Sequence, residues 1–467
     1  MTEQSIIITV QSDIKNFTTE QEEVLKNYCS VYSNLERILF NTLKDKDKPL
    51  EYRNFLQKEY IKKYNIHARL FKTLFKQVKG RISAIKSLQK LNKSNTKLQI
   101  NKTKKKLKKI KDPFKIYNAK NKLNRLKQKL NKEDEVINSV WGSKSFYKKQ
   151  WNAESKENWL EEWRVRRNCR ILFHGSKDES FGNQLCQLQT LQKLRITLPK
   201  YFEDKHLNLE VDFQKNKKIY KYLYSAISNN QALTYKIKYN YKRKKWYVFI
   251  SFKLTNECKK YKQGTIGLDL NYNLIALCSV SQNGNKESFH NIPFELTKNN
   301  SNKNTQILSD IANGIVERAK DSNKFITIEK LDLKNKLKDK KLSYIVYQKF
   351  FTLLRSRAIK EGVLLISVNP AFTSIIGRLK YKKRFGTSVH SSAAYVIGRR
   401  GLNYIENIPF RIACLLHSGE KEKHNWSQWG ILNKRLDKVS QLEKSLCLDY
   451  YKHSRSFFIN FNLCTLR

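Results

Sequence analysis

The sequence predicts a multidomain α+β protein with an α/β core in its C-terminal part. Three observations lead to this fold class. The chain has 467 residues, enough for two or three domains that each bury a core. Strand patterns flank a long stretch of helical periodicity, which indicates a helical domain inserted into a small antiparallel β domain. The C-terminal part then alternates apolar strands with amphipathic helices, a pattern typical of a sheet covered on both faces.

The charge of the chain is far from balanced. It contains 93 Lys and Arg residues against 41 Asp and Glu, a net charge of +52. Such a basic protein is expected to bind a polyanion, and aromatic residues interleaved among the lysines favour nucleic acid, with a membrane surface as the alternative. We find no run of about 20 apolar residues and no signal-peptide pattern, so we expect a soluble, intracellular protein that does not engage a membrane.

Residue usage also bears on the host and on metal binding. Lys and Asn are enriched, which indicates an AT-rich genome and places the protein in a bacterial cytoplasm or nucleoid, or in an AT-rich organelle such as a plastid. The eight cysteines are scattered and none forms a CxxC pair. Because zinc ribbons use such pairs, we expect no zinc, and in a reducing compartment we expect no disulfides.

The N-terminal half begins with a strand and continues with helices. Residues 5–11 alternate weakly as a strand, and Thr19 followed by Glu22 predicts a capping box. Residues 80–132 are lysine-rich, with narrow apolar stripes broken at Asp112-Pro113, which predicts a helical hairpin. Its charge is nearly all of one sign and repels itself, so a phosphate backbone lying along it is the favoured explanation. A solvated face is the alternative.

The middle of the chain changes from loops to strands. Residues 141–189 predict loops and short helices rich in Trp, Arg and Gly, which stack on bases or pair with phosphates in some proteins. Strands are predicted at residues 194–198, 207–213, 233–241 and 245–254. With the opening strand they form a small sheet or barrel. Its basic edge consists of Lys236, Lys238, Arg243, Lys244 and Lys245, and Lys236, Arg243 and Lys245 are the candidate nucleic-acid contacts among them.

Residues 265–280 predict a β-hairpin with a carboxylate, Asp269, in its first strand. Gly267 in that strand marks a close approach of another backbone. A carboxylate in an apolar strand costs several kcal/mol of desolvation unless it is compensated. A divalent metal is the usual partner at a site that handles phosphate, whereas capping of the turn is the alternative role.

The elements after residue 263 follow the order three strands, helix, strand, helix, strand, helix. This order matches the RNase H fold, in which the first and fourth strands are neighbours. Glu329 ends the predicted fourth strand, so it would face Asp269. A carboxylate pair at that position holds two Mg²⁺ ions for phosphodiester hydrolysis.

Several motifs resemble a known family. GLDLN, ITIEKLDL, VNPAFTSIIG and HSSAAYVIGRRGL resemble the RuvC-type nuclease core of TnpB, the transposon-encoded ancestor of type V CRISPR effectors. WLEEWRVRRN, GSKDESFGNQLCQL and WYVFISF are similar to a cysteine-poor branch of that family. The resemblance excludes the lysine-rich hairpin and the tail after about His417. It implies an RNA-guided DNA endonuclease that uses Mg²⁺ or Mn²⁺, with guide RNA and target DNA as partners.

Two features depart from the family. A four-cysteine zinc ribbon usually follows the TS motif, but residues 372–389 contain no cysteine. The third metal ligand is usually an Asp before an Ala-Ala helix, and His390 stands there instead. With Ser388 as N-cap, His390 falls in the first helical turn facing Asp269, where its imidazole would ligate metal when neutral or contact phosphate or water when protonated. A lost ligand and an inactive nuclease are the alternative.

The remaining predictions concern basic residues and domain bounds. Candidate nucleic-acid contacts lie in a predicted basic loop and on the helix after it: Arg378, Lys380, Lys382, Lys383, Arg384, Arg399 and Arg400. The predicted domains are a wedge-like β domain (1–18 and 190–262), a helical recognition insertion (19–189), a RuvC-like nuclease domain (263–416) and a basic tail (417–467). The functional alternatives are an inactive RNA-guided DNA-binding protein of repressor type, and a generic basic RNA-binding protein.

Overall fold

The computed structural model describes residues 2–437 except 45–49, 109, 133–137, 149, 151–154, 214–216, 259–261, 272, 298–299, 331–340 and 414. The protein is a mixed α+β chain with two β-sheets, which confirms the predicted class. It divides into two compact units, Ile7–Leu254 and the pair of segments Met1–Ile6 and Thr255–Arg467. Within the described ranges, no helix is long and apolar enough to cross a membrane.

The helices of the unit Ile7–Leu254 are α1 Thr19–Leu43, α2 Leu50–Tyr64, α3 Ala68–Leu107, α4 Pro113–Lys132, α5 Lys144–Tyr147, α6 Lys156–Arg167 and α7 Lys217–Ser228. The capping box at the start of α1 uses Thr18 and Gln21, so the prediction of Thr19 and Glu22 was wrong by one residue. Both pairs fit the motif in sequence. The helix begins at Thr19, so Thr18 occupies the N-cap position and Gln21 the third helical position.

Helices α3 and α4 pack against each other and form the predicted lysine-rich hairpin. Helix α3 runs without a break for 40 residues, so the first arm of the hairpin continues the helix that precedes it. The chain reverses before Asp112, whose Oδ1 accepts hydrogen bonds from the backbone N–H groups of Phe114 and Lys115. Pro113 is the first residue of α4, where a missing N–H leaves no helical bond unmade.

The first sheet has the strand order β2-β6-β7-β1-β5-β4-β3. Its strands are β1 Thr2–Lys15, β2 Arg170–Phe173, β3 Cys186–Thr190, β4 Lys193–Thr197, β5 His206–Val211, β6 Thr234–Asn240 and β7 Lys245–Cys258. The N-terminal strand belongs to this sheet, as the sequence predicts. Strands β2 and β3 lie where only loops and short helices were predicted. That prediction was wrong because strands of four and five residues are too short to display a period-two pattern.

Helices and sheet of this unit share one hydrophobic core. Tyr28 and Phe71 from the helices and Tyr235 from β6 are fully buried in it. Cys29 and Cys186 lie in the same core as free thiols. Burial raises the pKa of both thiols well above the usual range, so they stay protonated and act as small apolar side chains.

The second sheet has the order β10-β9-β8-β11-β12. The elements around it are β8 Thr265–Leu270, β9 Leu274–Val280, β10 Lys286–Pro293, α8 Ser301–Asp321, β11 Phe325–Glu329, α9 Lys341–Lys360, β12 Leu365–Val368, α10 Thr373–Ile376, α11 Lys383–Phe385 and α12 Val389–Gly401. Strands β8 to β10 are antiparallel neighbours, whereas β11 runs parallel to β8 and β12. The first and fourth strands of the series are therefore adjacent, as predicted.

Helix α12 lies unusually close to β8. A Cβ atom added to Gly267 would lie 2.5 Å from the backbone N of Gly398 and would also overlap the carbonyl of Ala394. Real Cβ atoms do not approach backbone so closely, so only glycine fits here. The predicted close approach at Gly267 is confirmed, and it brings the N-terminal turn of α12 near the strand that carries Asp269.

The segment after β12 is helical rather than the predicted basic loop. A π-helical turn, Gly377–Lys382, joins α10 to α11, and Arg378, Lys380, Lys382, Lys383 and Arg384 all lie on these helical turns. Gly377 and Tyr381 are buried against α12. This packing stabilises the helical conformation of the segment. The sequence did not indicate a helix here, because the segment has many lysines and only short apolar stretches.

The chain continues with α13 Phe410–Ala413, α14 Ser418–Lys421 and α15 Asn425–Asp437. Trp429 and Leu432 of α15 are buried in the same cluster as Ala394 and Tyr395 of α12. Part of the predicted C-terminal tail is therefore packed into the core of this unit. The rest of the predicted tail, residues 438–467, lies outside the described residues.

Candidate active site

Two carboxylates lie at the carboxyl ends of adjacent parallel strands. Leu268 of β8 pairs with Ile328 of β11, and one further step in this register sets Asp269 beside Glu329. Side chains alternate between the faces of a sheet, so Asp269 lies on the same face as Gly267, which contacts α12. The strand pairing thus places the two carboxylates next to each other, as predicted. Both lie on the face of the sheet that α12 covers.

His390 reaches Asp269 from the first turn of α12. Its Nδ1 lies 3.1 Å from Oδ2 of Asp269. Ser388 is the N-cap, as predicted, and its Oγ accepts a hydrogen bond from the backbone N–H of Ser391. The His390 side chain is 48% exposed while that of Asp269 is 10% exposed, so one edge of the imidazole faces solvent.

Asp269 favours the charged form of its partner His390. The hydrogen bond to Asp269 raises the pKa of His390, burial opposes this, and the charge of Asp269 adds to the increase. Nδ2 of Asn271 donates a second hydrogen bond to the same carboxylate oxygen, at 2.9 Å. On α9, burial and the charge of Asp269 raise the pKa of Tyr347, which keeps its phenol protonated beside the site.

Glu329 has different partners, which the sequence did not reveal as functional. Oγ1 of Thr373, at the start of α10, donates a hydrogen bond of 2.5 Å to its Oε1. Arg400 lies close enough for the charge of Glu329 to act on it: burial lowers the pKa of Arg400 and Glu329 partly opposes that decrease. The Arg400 guanidinium also lies 4.9 Å from the ring centre of Trp426. The TS dipeptide after β12 was the available signal for Thr373.

Asp269 and Glu329 provide carboxylate oxygens, the donors that Mg²⁺ takes in proteins. Among the residues that the structure describes, no three His, Cys, Asp or Glu side chains form a metal-binding group. His390 contacts Asp269, while Glu329 is held by Thr373. Mg²⁺ binds through one or two carboxylates, keeps several waters and takes further oxygens from substrate phosphate. Asp269 and Glu329 fit that requirement, and the contacts of Asp269 with Asn271 and His390 both involve Oδ2, on one side of the carboxylate.

Apart from Arg400, which lies near Glu329, the basic residues predicted near this site fall into two groups. Arg378, Lys382, Lys383 and Arg384 are exposed on the helical segment before α12. Lys380 and Arg399 instead form ion pairs with the buried carboxylate of Glu406. Burial alone would raise the pKa of Glu406, but hydrogen bonds from Lys380 and Tyr381 and the neighbouring charges lower it. Contact of all these cations with nucleic acid stays a prediction.

The remaining candidates lie in the other unit, on β6 and β7. Arg243 and Lys245 are exposed at the turn between these strands. Lys236 is half-buried on β6, and burial together with the charges of Arg170 and Lys238 lowers its pKa. Arg170 on β2 lies opposite Lys238 in the strand register, but it already forms an ion pair with the buried Glu36, so Lys236 and Lys238 are the two cations that repel each other on this strip of β2 and β6. An anion on this strip would relieve their repulsion.

The pKa of His390 tests the contact with Asp269. In a histidine titration by NMR, we expect His390 to titrate above its ordinary value of 6.5. The contact then makes its full contribution to stability below pH 6.5. This contribution is lost as the pH rises through the higher pKa that His390 has in the folded protein. His390 is half-exposed, so the contribution should be under about 1 kcal/mol.

Asp269→Asn should return His390 to its ordinary range. His290 is the control, because burial and the charge of Arg318 lower its pKa, and it should titrate below 6.5 in both proteins. An unshifted His390 in the wild-type chain would refute the contact.

In comparison with known proteins, no family model matches this chain, and no curated protein matches it either.

Proposed function

We propose that this chain is an RNA-guided DNA endonuclease whose RuvC-type core hydrolyses phosphodiester bonds with Mg²⁺ or Mn²⁺. The observation that carries the proposal is the carboxylate pair. Asp269 and Glu329 stand at the ends of adjacent parallel strands, and a third polar group, His390, is hydrogen-bonded to the first of them. Two carboxylates on one sheet edge are the arrangement that two-metal phosphodiester hydrolysis requires.

The strand order supports the proposal. An antiparallel meander of three strands followed by two parallel strands, with the first and fourth adjacent, is the order of RNase H-like folds. The GLDLN motif lies on β8 and the residue after it, and the ITIE part of ITIEKLDL lies on β11, where that family carries its carboxylates. Agreement between motif and strand position is stronger support than either alone, because a lone acidic residue at a strand end is common.

The residues of the site have separable roles in this proposal. Asp269 and Glu329 would hold the metal, which when bound activates a water and stabilises the leaving oxygen. Thr373 fixes the orientation of Glu329 through its hydrogen bond. Arg400, beside Glu329, provides positive charge for a phosphate. His390, held by Asp269 through Nδ1, offers its other edge to a phosphate when protonated or to a water when neutral.

Recognition of the nucleic acids would fall to the basic surfaces of both units. The exposed cations Arg378, Lys382, Lys383 and Arg384, and the strip on β2 and β6, suit the phosphate backbone because lysine and arginine contact it without regard to sequence. Base pairing between a guide RNA and the target strand would provide the sequence specificity. In that arrangement the helical part and the first sheet act as recognition and wedge elements.

One observation favours a second function, an inactive RNA-guided DNA-binding protein that acts as a repressor. Nδ1 of His390 lies 3.1 Å from Oδ2 of Asp269, so the imidazole contacts the carboxylate where a metal ion would bind and, when protonated, places a positive charge there. A cation so close to Asp269 weakens the attraction of that carboxylate for Mg²⁺. A binding protein that retains the fold and the guide has no need of the metal.

Copurified RNA separates these functions. The full chain is purified with its RNA, the RNA is sequenced, and the complex is incubated with DNA that matches the guide segment in the presence of Mg²⁺ or Mn²⁺. We expect metal-dependent cleavage of matched DNA and none of mismatched DNA. Guide-dependent binding without DNA cleavage, in the presence of either metal, would establish the repressor instead. Binding that ignores the guide would refute both and leave a generic RNA-binding protein.

A further inference from the structure

Helix α15 brings an aromatic side chain to the site beside Glu329. Trp426, in the first turn of α15, is 36% exposed, whereas Trp429, one turn later, is 2% exposed and buried in the core. The centre of the Trp426 ring lies 6.0 Å from that of Phe372 and 4.9 Å from the guanidinium of Arg400. Trp429 thus anchors the helix, while Trp426 contacts two residues near the carboxylate and stays partly open to solvent.

Strand pairing brings Arg400 close to Glu329. Glu329 pairs with Val368 in the parallel register of β11 and β12. The carbonyl of Asn369, the next residue, accepts a hydrogen bond of 2.6 Å from Nη1 of Arg400. Within the described part of the chain this is the one hydrogen bond of the Arg400 side chain. The other donors of its planar guanidinium can therefore serve a phosphate.

Phe372 has an unfavourable backbone conformation at this place. Its φ is +65°, in the left-handed region that residues with a side chain rarely adopt. Strain of this kind persists only where the surrounding structure holds it, and it clusters at functional sites. The Phe372 ring packs on Trp426 and near Gly430, both on α15. The next residue, Thr373, donates the hydrogen bond that orients Glu329. Helix α15 therefore supports the environment of this carboxylate.

We propose that Trp426 binds the DNA strand to be cut: its ring stacks on the base of one nucleotide, while a phosphate of that nucleotide contacts Arg400 beside Glu329. Cleavage of DNA belongs to the proposed function, on which this role rests, whereas the base contact is new. Aromatic stacking accepts any base, because every base has a π-face. It requires a base with an open face, so the nucleotide bound here is turned out of the double helix.

Removal of single bases from the DNA tests the stacking. Matched substrates carry an abasic nucleotide at successive positions around the cleavage site, and the single-turnover rate is measured for each. For the wild type we expect a loss on the order of tenfold at one position. Trp426→Ala should lose a similar factor on intact DNA and be insensitive to the abasic nucleotide, because the contact is already absent. Trp426→Phe should recover most of the rate and the sensitivity.

Phe410→Ala is the matched control. Phe410 is an aromatic residue of the same unit and is 93% exposed, so its removal should change neither the rate nor the response to an abasic nucleotide. If Trp426 only supports Phe372, Trp426→Ala will be slow and yet as sensitive to the missing base as the wild type. That result would overturn the proposal.

Tryptophan fluorescence measures the base contact without cleavage. The full chain with its copurified RNA is titrated in EDTA with a short single-stranded oligothymidylate, whose bases quench the emission of a ring on which they stack. We expect less quenching in Trp426→Phe than in the wild type and in Phe410→Ala. Equal quenching in all three proteins would refute the base contact. A smaller quench in Trp426→Phe, in a protein that cuts no DNA, would refute the nuclease and retain the contact.

Discussion

Replacing Asp269 by Asn is expected to abolish DNA cleavage while leaving RNA and DNA binding nearly unchanged. The substitution keeps the size of the side chain and its ability to accept hydrogen bonds from Asn271 and His390. It removes the negative charge that a divalent metal requires. Glu329→Gln should have the same effect for the same reason. The measurement is the single-turnover rate on matched DNA, with binding followed separately in the absence of divalent metal.

Asp310→Asn provides the control for charge. Asp310 is exposed on α8 of the same unit, and its side chain contacts Gln306, far in sequence from the site. This variant should cleave at the wild-type rate. Cleavage at that rate by Asp269→Asn would exclude the carboxylate-pair mechanism. Normal cleavage by His390→Ala would leave the carboxylate pair in place but exclude His390 both as the metal ligand predicted from the sequence and as the contact to a phosphate or a water.

The largest effect on stability is expected from Glu406→Gln. Glu406 is 4% exposed and joins three elements: Lys380 in the π-helical turn, Arg399 on α12, and the indole of Trp429, which donates to its backbone carbonyl at 2.7 Å. Removing one partner of a buried ion pair costs about 3–5 kcal/mol. Lys380 and Arg399 are each 18% exposed and hydrate in part, so the lower end of that range is expected.

Hydrogen exchange of the α12 amides measures this effect locally, without assuming that the whole chain unfolds in one step. Because the pKa of Glu406 is lowered in the folded protein, its ion pairs stabilise the fold fully above pH 4.5. They lose that effect as the pH falls through the lowered pKa. The difference between wild type and Glu406→Gln should therefore shrink in acid. Glu420→Gln is the control: its partly exposed pair with Arg435 should be worth at most about 1 kcal/mol. Equal exchange rates in the two variants would contradict the role assigned to Glu406.

Much of the second sheet could be predicted from sequence because its signals are strong and local. Strands β8 and β9 are apolar runs separated by a short turn, and β11 is an apolar run that ends in Glu329. Helix α8 shows clear amphipathic spacing. The cap residue Ser388 placed His390 in the first turn of a helix, whereas its position next to Asp269 was implied by the family resemblance. Predictions of single strands and helices such as these need only residues that are close to one another in the sequence.

Other features arise from contacts between distant segments. The π-helical turn at residues 377–382 exists because Gly377 and Tyr381 pack on α12, more than ten residues later. Glu406 gives no sign in the sequence that it will be buried, since its partners are Lys380 and Arg399. Thr373 becomes a partner of Glu329 only when β11 and α10 meet at the sheet edge.

The sequence by itself determined the α+β class, the order of strands and helices around Asp269, the basic character of the chain and the lysine-rich helical hairpin. Each of these depends on residue spacing along one segment or on composition. Only the tertiary structure decided that the segment before α12 is a helix, that α15 belongs to the core, and that Lys380 and Arg399 hold a buried carboxylate. The reason is that burial and ion pairing depend on which distant side chains meet. The local propensity of a segment does not indicate which residues those are.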